Sequence, residues 1–528
     1  MSTSATASAV APSRAVGPAQ TRLLAAAAGA AAAGLALGVS EAIAALLAGA
    51  TSLVAAVGQV VIDLQPPGAK DFVVALFGTN DKLALEVIVV LAALGFGAAL
   101  GVIALRRFIV AALGFAAFGV LGFVAALGDP LANPAIVAVQ SAVCVGIALQ
   151  TLGWLLAHAP SAAPAEAGGA RAGSDPARRS FLLRTGAVGL SALVVGVGGR
   201  SLLDQSRSAP ITSGQLPPAS DTVPPLAAGA DLASTTPGLT PIVVPNERFY
   251  RIDTALLVPS VDVATWTLRV HGLVERETTL SWDELLALPM FEQFVTIACV
   301  SNEVGGGLVG NAKWTGVRLR DVLDIAGVSS AATQLVGRSV DGFTAGMPTA
   351  WVMDPEREPM IAVQMNDEPL PPAHGYPARL IVPGLYGYVS ATKWLSELEL
   401  TTLDDFDGYW IPLGWAKEAP ILTQSRIDTP RGSINAGRVP IAGIAWAPDR
   451  GIAKVEVGID GEWHEADLSV PISDATWVQW VAAWDATPGR HRISVRATDG
   501  DGALQEELPS PPAPDGARGW HTIEVSVS

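Results

Sequence analysis

Cysteine, histidine and basic side chains are all scarce in this chain of 528 residues. The only two cysteines are Cys144 and Cys299, and Cys144 lies inside an apolar run, so the protein does not rely on disulfides. There are 33 basic residues against 49 acidic ones, and the resulting net charge of −16 argues against nucleic acid as a partner, since phosphate binding needs clustered Lys and Arg. Among the six histidines, only His158 lies near the apolar N-terminal runs, so the paired axial ligands of a membrane haem are missing and no haem is expected.

Long apolar runs are what the first 200 residues have in abundance. About 20 apolar residues suffice to cross a bilayer, and we predict five spans, at residues 22–47, 83–105, 108–127, 135–157 and 181–199. The stretch 51–68 is too short and too interrupted, so we interpret it as a re-entrant or interfacial piece. Arginines concentrate before the first span, between the second and third, and between the fourth and fifth, which predicts a cytoplasmic N-terminus. An odd number of spans then places everything after residue 200 outside the cytoplasm.

The sequence at the start of the fifth span, "DPARRSFLLRTGAVGL", allows two interpretations. Arg178 and Arg179, followed by a modest apolar run, resemble a twin-arginine export signal that would here be internal and stay as an anchor. The same two arginines also serve simply as positive-inside markers. The first interpretation predicts an exported domain that folds around a cofactor in the cytoplasm.

Composition divides the chain into four parts. Residues 1–199 form the predicted α-helical membrane domain, and residues 200–241, rich in Pro, Ser, Thr and Gly, are typical of a flexible linker. Residues 242–417 mix strand-like runs with short helix-like ones and predict a compact α+β domain. Residues 418–528 consist of short strand-like runs such as "HRISVRATD", which predict an immunoglobulin-like β-sandwich.

Cys299 stands at the end of a strand-like run and precedes a polar turn and three glycines, in "ACVSNEVGGG". A lone cysteine commonly packs as a small hydrophobe. A thiolate at a strand end followed by permissive backbone is also suited to hold a soft metal in a cavity. Zinc needs further His or Cys ligands, and none follows at zinc spacing. This leaves one thiolate completing the coordination of a metal that brings its other ligands with it.

Three further motifs, taken together with Cys299, resemble the sulfite-oxidase type of molybdopterin-dependent oxidoreductases, in a membrane-anchored bacterial form. They are "NERFYRID" at 246–253, "GNAKWTGVRLRDVL" at 310–323 and "MNDEPLPPAHGYPARLIVPGLYGYVSATKWL" at 365–395. The resemblance covers about 242–528. It implies a molybdopterin-binding α+β domain followed by a sandwich that pairs two copies into a homodimer.

The resemblance also implies a molybdenum–molybdopterin cofactor and assigns its site. Cys299 is the implied metal ligand and catalytic residue, and His374, Arg379 and Lys393 would serve the phosphate and the pterin. The full set of implied cofactor-binding residues is Asn246, Tyr250, Cys299, Asn302, His374, Arg379, Gly387 and Lys393.

The expected function is that of a membrane-anchored, extracytoplasmic molybdenum oxidoreductase that transfers an oxygen atom with two electrons. Two departures leave the substrate open between sulfite oxidation and reduction of an S- or N-oxide: Phe343 stands where sulfite oxidases have a tyrosine, and their Arg-Asn-His segment is not reproduced after Tyr250. With no haem and no cytochrome-b5-like domain at either end, the electron partner is expected to be external, a cytochrome or a membrane quinone. The alternative is a cofactor-free cell-surface binding protein with an immunoglobulin-like module.

Overall fold

The structure is a computed structural model that describes residues 17–64, 77, 81–160, 176–208 and 216–528. The chain divides into two compact units. One is Met1–Arg207 with Ala255–Val258, and the other is Ser208–Thr254 with Pro259–Ser528.

The first unit is helical. Its helices are α1 (Pro18–Leu46), α2 (Leu53–Asp63), α3 (Asp81–Ala104), α4 (Phe108–Ala126), α5 (Pro134–Ala157) and α6 (Pro176–Ser208). All of these except α2 are long and apolar enough to cross a membrane, which agrees with the five predicted spans. The piece predicted as re-entrant contains the short helix α2, and its residues 65–68 lie outside the described part of the chain. The fifth span is longer than predicted, since α6 runs on through residues assigned to a linker.

Glycine explains how α1 and α3 approach each other. A Cβ added at Gly29 would lie 2.1 Å from the carbonyl oxygen of Gly97, and one added at Gly101 would lie 2.1 Å from that of Ala25. Only residues without bulky side chains allow backbones this close, as is usual where helices pack without a hydrophobic driving force between them. The outer faces keep large apolar side chains exposed, for example Leu113 at 66% and Ile109 at 76%.

Charged side chains in the helical unit are paired with one another. Arg200 of α6 lies 2.7 Å from Glu86 of α3, and its other guanidinium nitrogen lies 4.0 Å from Glu41 of α1. Glu41 also accepts a 2.6 Å hydrogen bond from Ser52. Pairing of this kind is what makes ionised groups tolerable in an apolar bundle, and here it joins three of the helices.

The second unit begins its regular structure after residue 245 and contains nineteen strands and four short helices in its described part. The strands are β1 (Thr267–Gly272), β2 (Thr278–Ser281), β3 (Met290–Ala298), β4 (Val309–Arg318), β5 (Gln334–Ser339), β6 (Thr344–Pro348), β7 (Met360–Met365), β8 (Glu368–Pro369), β9 (Arg379–Ile381), β10 (Leu395–Thr401), β11 (Gln424–Thr429), β12 (Ser433–Ile434), β13 (Gly437–Trp446), β14 (Ile452–Ile459), β15 (Glu462–Glu465), β16 (Asp467–Leu468), β17 (Val478–Ala486), β18 (Gly489–Asp499) and β19 (His521–Val527). The helices are α7 (Trp282–Leu286), α8 (Leu319–Ala326), α9 (Thr349–Val352) and α10 (Gly387–Ser390), and 3-10 turns cover Asn246–Arg248 and Pro372–His374.

Local signals set the ends of two short helices in the middle region, where the sequence predicts helix-like runs. Ser281 and Glu284 form a reciprocal capping box that starts α7. Gly327, with φ of +72°, ends α8 and donates its N–H to the Leu323 carbonyl. The two sheets of this region are ordered β2-β1-β10-β5-β6 and β3-β4-β7-β8, with β9 paired to β7. Helix α7 packs on β2, and α8 packs on β1 and β4. One apolar core fills the space between these elements.

The C-terminal region is built only of strands. Its two sheets are ordered β11-β13-β17-β16 and β12-β19-β18-β14-β15. Burial alternates along β18, where Ile493, Val495 and Ala497 are buried, as expected of a strand with one face on a core. Those residues share that core with Trp480 and other residues of the opposite sheet.

The prediction of a flexible linker over 200–241 is wrong for the residues that the structure describes. Residues 200–208 continue helix α6. In the stretch 216–241, the Leu232 N–H donates to Gln479 Oε1 at 2.6 Å and the Thr240 carbonyl accepts from Gln479 Nε2 at 2.6 Å. A linker composition therefore does not exclude order, because side chains far along the sequence provide hydrogen-bond partners for the backbone.

Gln479→Leu should make residues 216–241 more mobile, because it removes hydrogen bonds to their backbone. The substitution keeps the volume of a fully buried side chain but removes both backbone partners, each worth about 1 kcal/mol. We expect cleavage within residues 226–241 by a broad-specificity protease to become about tenfold faster. Gln505→Leu is the matched control, because Gln505 is also buried and hydrogen-bonded but contacts Ser425, Ala497 and Gly519 instead. Equal cleavage rates in the two variants would contradict the account.

Candidate functional site

The Cys299 thiol lies directly after β3, at the base of the loop that leads into β4. We call residues 299–308 the thiol loop. Its two ends are held together, because the Cys299 N–H donates to the Leu308 carbonyl at 2.9 Å and the last pair of the strand ladder is Ala298 with Val309. Cys299 is 8% exposed and is not in a disulfide. The predicted strand end is thus where the structure places this residue.

The glycines of the thiol loop have neighbours in the protein itself. A Cβ on Gly305, which has φ of +75°, would lie 2.3 Å from the imidazole of His521. A Cβ on Gly306 would lie 2.6 Å from Asn302 Oδ1, which accepts a 2.7 Å hydrogen bond from the Leu308 N–H. Gly305 is therefore needed for packing against the C-terminal region, and Gly306 for packing within the loop. The sequence had suggested instead that these glycines leave room for a metal site.

Polar groups, rather than aliphatic ones alone, surround the thiol. Cys299 interacts electrostatically with both Tyr250 and Tyr386. Burial, reinforced by this interaction, raises the pKa of Tyr386 to about 12 and the pKa of Tyr250 further. Both phenols therefore keep their protons at neutral pH and can donate them to an acceptor beside the thiol.

His374 is held as a neutral imidazole at the end of a 3-10 turn. Its Nε2 lies 2.9 Å from the Asn246 carbonyl, which can only accept, so Nε2 carries the proton. Burial, together with the charges of Arg379 and Lys393, lowers the pKa of His374 to about 4. Its Nδ1 is buried and has no hydrogen-bond partner among the described residues. This nitrogen is therefore a buried hydrogen-bond acceptor to which no described residue donates.

Arg379 begins β9 and is almost completely buried, at 5% exposure. One terminal nitrogen donates to the His374 carbonyl at 3.2 Å, and the guanidinium lies 5.3 Å from the Trp314 ring. Within the described part of the chain, Nε has no hydrogen-bond partner and no carboxylate lies within 4 Å. Burial lowers the pKa of Arg379 to about 10, so the group stays charged at neutral pH. Asp253 attracts the guanidinium only from beyond ion-pair distance, and a buried cation with so little compensation is costly, which favours an anion as its partner.

Lys393 lies just before β10 and extends the same positive region. Its ammonium group donates to Asp253 at 2.9 Å and to the Ala373 carbonyl at 3.1 Å. Burial, against the attraction of Asp253, lowers the pKa of Lys393 to about 8. The half-exposed Arg251 also pairs with Asp253, at 2.8 Å. One carboxylate thus serves two cations, and the region has excess positive charge.

The structure gives the remaining predicted site residues different surroundings. The Asn246 side chain bonds to the Met365 carbonyl, Glu368 and Asn366, so it fixes the carbonyl that holds His374. Asn302 closes the thiol loop. A Cβ on Gly387, the first residue of α10, would lie 3.6 Å from the Ala298 carbonyl and 4.0 Å from the Tyr250 hydroxyl, so α10 begins beside the thiol. Direct contact of these three with a cofactor stays a prediction.

Several residues of the site escaped the sequence reasoning. Phe343, noted for the missing tyrosine, lies 5.8 Å from the Tyr409 ring, whereas the phenols near the thiol are Tyr250 and Tyr386. Tyr386 stands inside the quoted motif "GLYGYVS", and its place beside a motif glycine was the available signal. Asp253, the partner of Lys393, closes the motif "NERFYRID". The sequence around His521 contains no signal that predicts its contact with Gly305.

These residues fit an anionic, pterin-containing metal cofactor. In the described ranges no three His, Cys, Asp or Glu side chains converge on a common metal position, so the protein's own donor at the thiol is Cys299 alone. The orphaned Arg379 Nε and the Lys393 ammonium are suited to a phosphate. The orphaned His374 Nδ1 is suited to an N–H on the edge of a ring.

Comparison with known proteins confirms the resemblance read from the motifs. Residues 255–410 match the family described as the oxidoreductase molybdopterin binding domain. Mitochondrial sulfite oxidase of Homo sapiens is 30% identical over 343 residues, which is 54% of this chain and 62% of that protein. NADH nitrate reductase of Hordeum vulgare is 34% identical over 179 residues, covering 29% of this chain and 19% of the enzyme. The solved sulfane dehydrogenase SoxCD from Paracoccus pantotrophus is 22% identical, covers 54% of this chain and 81% of its own, and has a TM-score of 0.47.

Inorganic phosphate should stabilise the cofactor-free protein through the buried cations. An anion that binds only the folded state, at a hundred times its Kd, adds about 2.7 kcal/mol to the free energy of unfolding. Arg379→Met should abolish most of this gain, measured by thermal unfolding with and without phosphate. Arg338→Met is the control, because Arg338 pairs with Glu399 on the sheet and should leave the gain intact.

The phosphate effect should also depend on pH. Lys393 loses its proton as the pH rises through about 8, so the stabilisation by phosphate should decline between pH 7 and 9. Lys393→Gln should bind more weakly at neutral pH and show no decline between pH 7 and 9. A phosphate effect that is equal in wild type, Arg379→Met and Lys393→Gln would refute the anion site.

Proposed function

We propose, from the relationship of its middle region to the sulfite-oxidase-type molybdopterin oxidoreductases, that this chain is a membrane-anchored oxidoreductase with its catalytic site outside the cytoplasm. The observation that carries the proposal is the combination of Cys299 with the buried, carboxylate-free guanidinium of Arg379. In a scaffold that binds no cofactor, a buried cation without a carboxylate in contact would lower the stability of the fold. The chain spans about 62% of the human relative it matches, so the activity rests on these residues rather than on the relative's name.

The bound molybdenum cofactor would supply two-electron oxygen-atom transfer. The chain's own residues would do the rest: the Cys299 thiolate would be the protein's ligand to the metal, and Arg379 and Lys393 would hold the phosphate. His374 Nδ1 would accept a hydrogen bond from the ring edge. The protonated hydroxyl of Tyr250 would donate to an oxygen of a substrate beside the thiol, the task that Phe343 cannot perform.

The substrate is proposed to be a small oxyanion or an S- or N-oxide. Two relatives are named for sulfite and nitrate, both small oxyanions. Arg251, which is half-exposed beside Lys393, supports attraction of an anion. Turnover of sulfite with an artificial electron acceptor, and of sulfoxides, N-oxides and nitrate with an artificial donor, would decide between oxidation and reduction. Electrons would pass to or from an external cytochrome or quinone.

Cys299→Ser should fold normally but lose at least about 100-fold in activity, because a hydroxyl is a poor ligand for a soft metal. Metal analysis, pterin content and turnover of the purified full chain measure this. Cys144→Ser is the matched control and should retain metal and activity, since Cys144 is a buried thiol of helix α5. Normal turnover by Cys299→Ser would exclude the thiolate role. Wild-type protein without molybdenum or pterin, from cells that make the cofactor, would favour the cofactor-free binding protein.

The location outside the cytoplasm is proposed from charge and from the start of α6. The described arginines Arg22, Arg106, Arg107, Arg178 and Arg179 lie at those ends of α1, α3, α4 and α6 that would face the cytoplasm. The pair Arg178 and Arg179 opens helix α6, which supports an internal twin-arginine signal that remains as an anchor. The lipid bilayer is then the partner of the exposed apolar faces of the helical unit.

Replacing both Arg178 and Arg179 by lysine should stop export if the signal operates, because the change keeps the charge and removes only the arginine pair. Protease added to spheroplasts should digest residues 216–528 in wild type and leave them protected in the variant. The matched control replaces Arg106 and Arg107 by lysine and should remain accessible. Equal accessibility of both variants would show that the arginines act only as positive-inside markers.

The C-terminal region is proposed to be an immunoglobulin-like sandwich that pairs two copies of the chain. Its two facing sheets and shared core support the sandwich. Sedimentation of the solubilised full chain would test the pairing, and a monomer over the whole concentration range would exclude it.

A further inference from the structure

The thiol loop is bound from outside by one arginine of the C-terminal region. Arg426 in β11 is buried, and one of its terminal nitrogens donates to the Gly306 carbonyl at 2.7 Å. The other terminal nitrogen donates to the Thr240 hydroxyl at 2.8 Å, and Nε donates to Asp428 at 2.7 Å. All three guanidinium nitrogens are therefore used, each on a different segment of the chain.

The other partners of Arg426 are themselves fixed. Asp428 accepts the Thr240 N–H at 3.0 Å, so the carboxylate and the guanidinium hold the same residue from two sides. The next strand residue, Ile427, donates its N–H to His521 Nδ1 at 2.9 Å. The ring of His521 then packs on Gly305. Burial and the nearby Arg431 and Arg426 lower the pKa of His521 to about 4, so it is neutral when it makes this contact.

The contact reaches the thiol through a short path. The Gly306 N–H donates to the Glu303 carbonyl at 2.8 Å, the Asn302 N–H donates to the Cys299 carbonyl at 3.0 Å, and Cys299 closes on Leu308. Each of these bonds lies within the ten residues of the thiol loop. A loop of this length with three glycines has little stiffness of its own, so its geometry depends on what holds it.

We propose that Arg426 is a positioning residue for Cys299, and that the C-terminal region thereby builds part of the catalytic site rather than serving only to join subunits. The guanidinium fork holds the crest of the thiol loop at Gly306 while its carboxylate partner stays anchored at Thr240. This role goes beyond the proposed function, because it concerns how the thiol is presented and holds whether or not the metal is bound.

The test uses Arg426→Lys, which keeps a positive charge beside Asp428 but cannot donate to three segments at once. Arg450→Lys is the matched control, since Arg450 is a partly buried arginine that likewise pairs with an aspartate, Asp499, and donates to a backbone carbonyl, that of Ile421. Both changes are made in full-length protein carrying Cys144→Ser, so that Cys299 is the sole thiol.

The first readout is the rate at which a maleimide alkylates Cys299 in cofactor-free protein, which reports opening of the thiol loop. Loss of one charged hydrogen bond should accelerate alkylation about tenfold in Arg426→Lys and leave Arg450→Lys unchanged, while both variants unfold at similar temperatures. The second readout is the Mo(V) EPR spectrum of loaded protein, whose g values should shift in Arg426→Lys alone, because groups behind a ligand tune the metal.

Equal alkylation rates in the two variants would overturn the inference. Faster alkylation in Arg426→Lys with no molybdenum in any preparation would support the inference while contradicting the proposed function, so the two failures are distinguishable. Identical EPR spectra in loaded Arg426→Lys and Arg450→Lys would also overturn it.

Discussion

A positive charge buried without a counter-ion is the constraint on which the site depends. Arg379 is fixed between the His374 carbonyl and the Trp314 ring, and its Nε has no partner in the described chain. Such burial destabilises the folded state by several kcal/mol unless a bound anion offsets it. Asp253 attracts the guanidinium but pairs directly with Lys393 and Arg251 instead. The buried charge of Arg379 therefore favours an anionic group in the region where Tyr250 interacts with both Arg379 and Cys299.

The elements around this charge have complementary tasks. Strands β3 and β4 bring Cys299 to the base of a closed loop, and the 3-10 turns at 246–248 and 372–374 hold His374 against the Asn246 carbonyl. The start of α10 lies beside Ala298, since a Cβ on Gly387 would be 3.6 Å from the Ala298 carbonyl oxygen. The C-terminal sheets add Arg426 and His521 on the outside of the thiol loop. The site is therefore assembled from stretches around residues 246–253, 299–308 and 372–393, and the C-terminal region contacts the second of them through Arg426 and His521.

Signals that act over a few residues predicted much of this structure. The apolar runs identified the five long helices, the Ser281 cap and Gly327 set the ends of two short helices, and the strand-like runs identified the C-terminal strands. Cys299 and the His374–Lys393 motif were found because their residue types suit a metal and a phosphate. The motif match also assigned Asn246 and Asn302 to the cofactor. In the structure their side chains form hydrogen bonds within the protein.

The features that the sequence did not predict depend on contacts between residues far apart in the chain. The stretch 216–241 has a linker's composition, and it is ordered by Gln479, more than 200 positions away. The glycines after Cys299 suggested space for a ligand, yet Gly305 accommodates His521 from the last strand. Neither contact leaves a trace in the local sequence, because any residue of matching shape and polarity would serve.

The central claim is that the sulfur of Cys299 is bonded to molybdenum. X-ray absorption at the molybdenum edge of the purified full chain tests it most directly. The account predicts one sulfur neighbour beyond those of the pterin dithiolene, and predicts that this neighbour disappears in Cys299→Ser protein that retains any metal. A wild-type coordination shell containing dithiolene sulfur alone would contradict it.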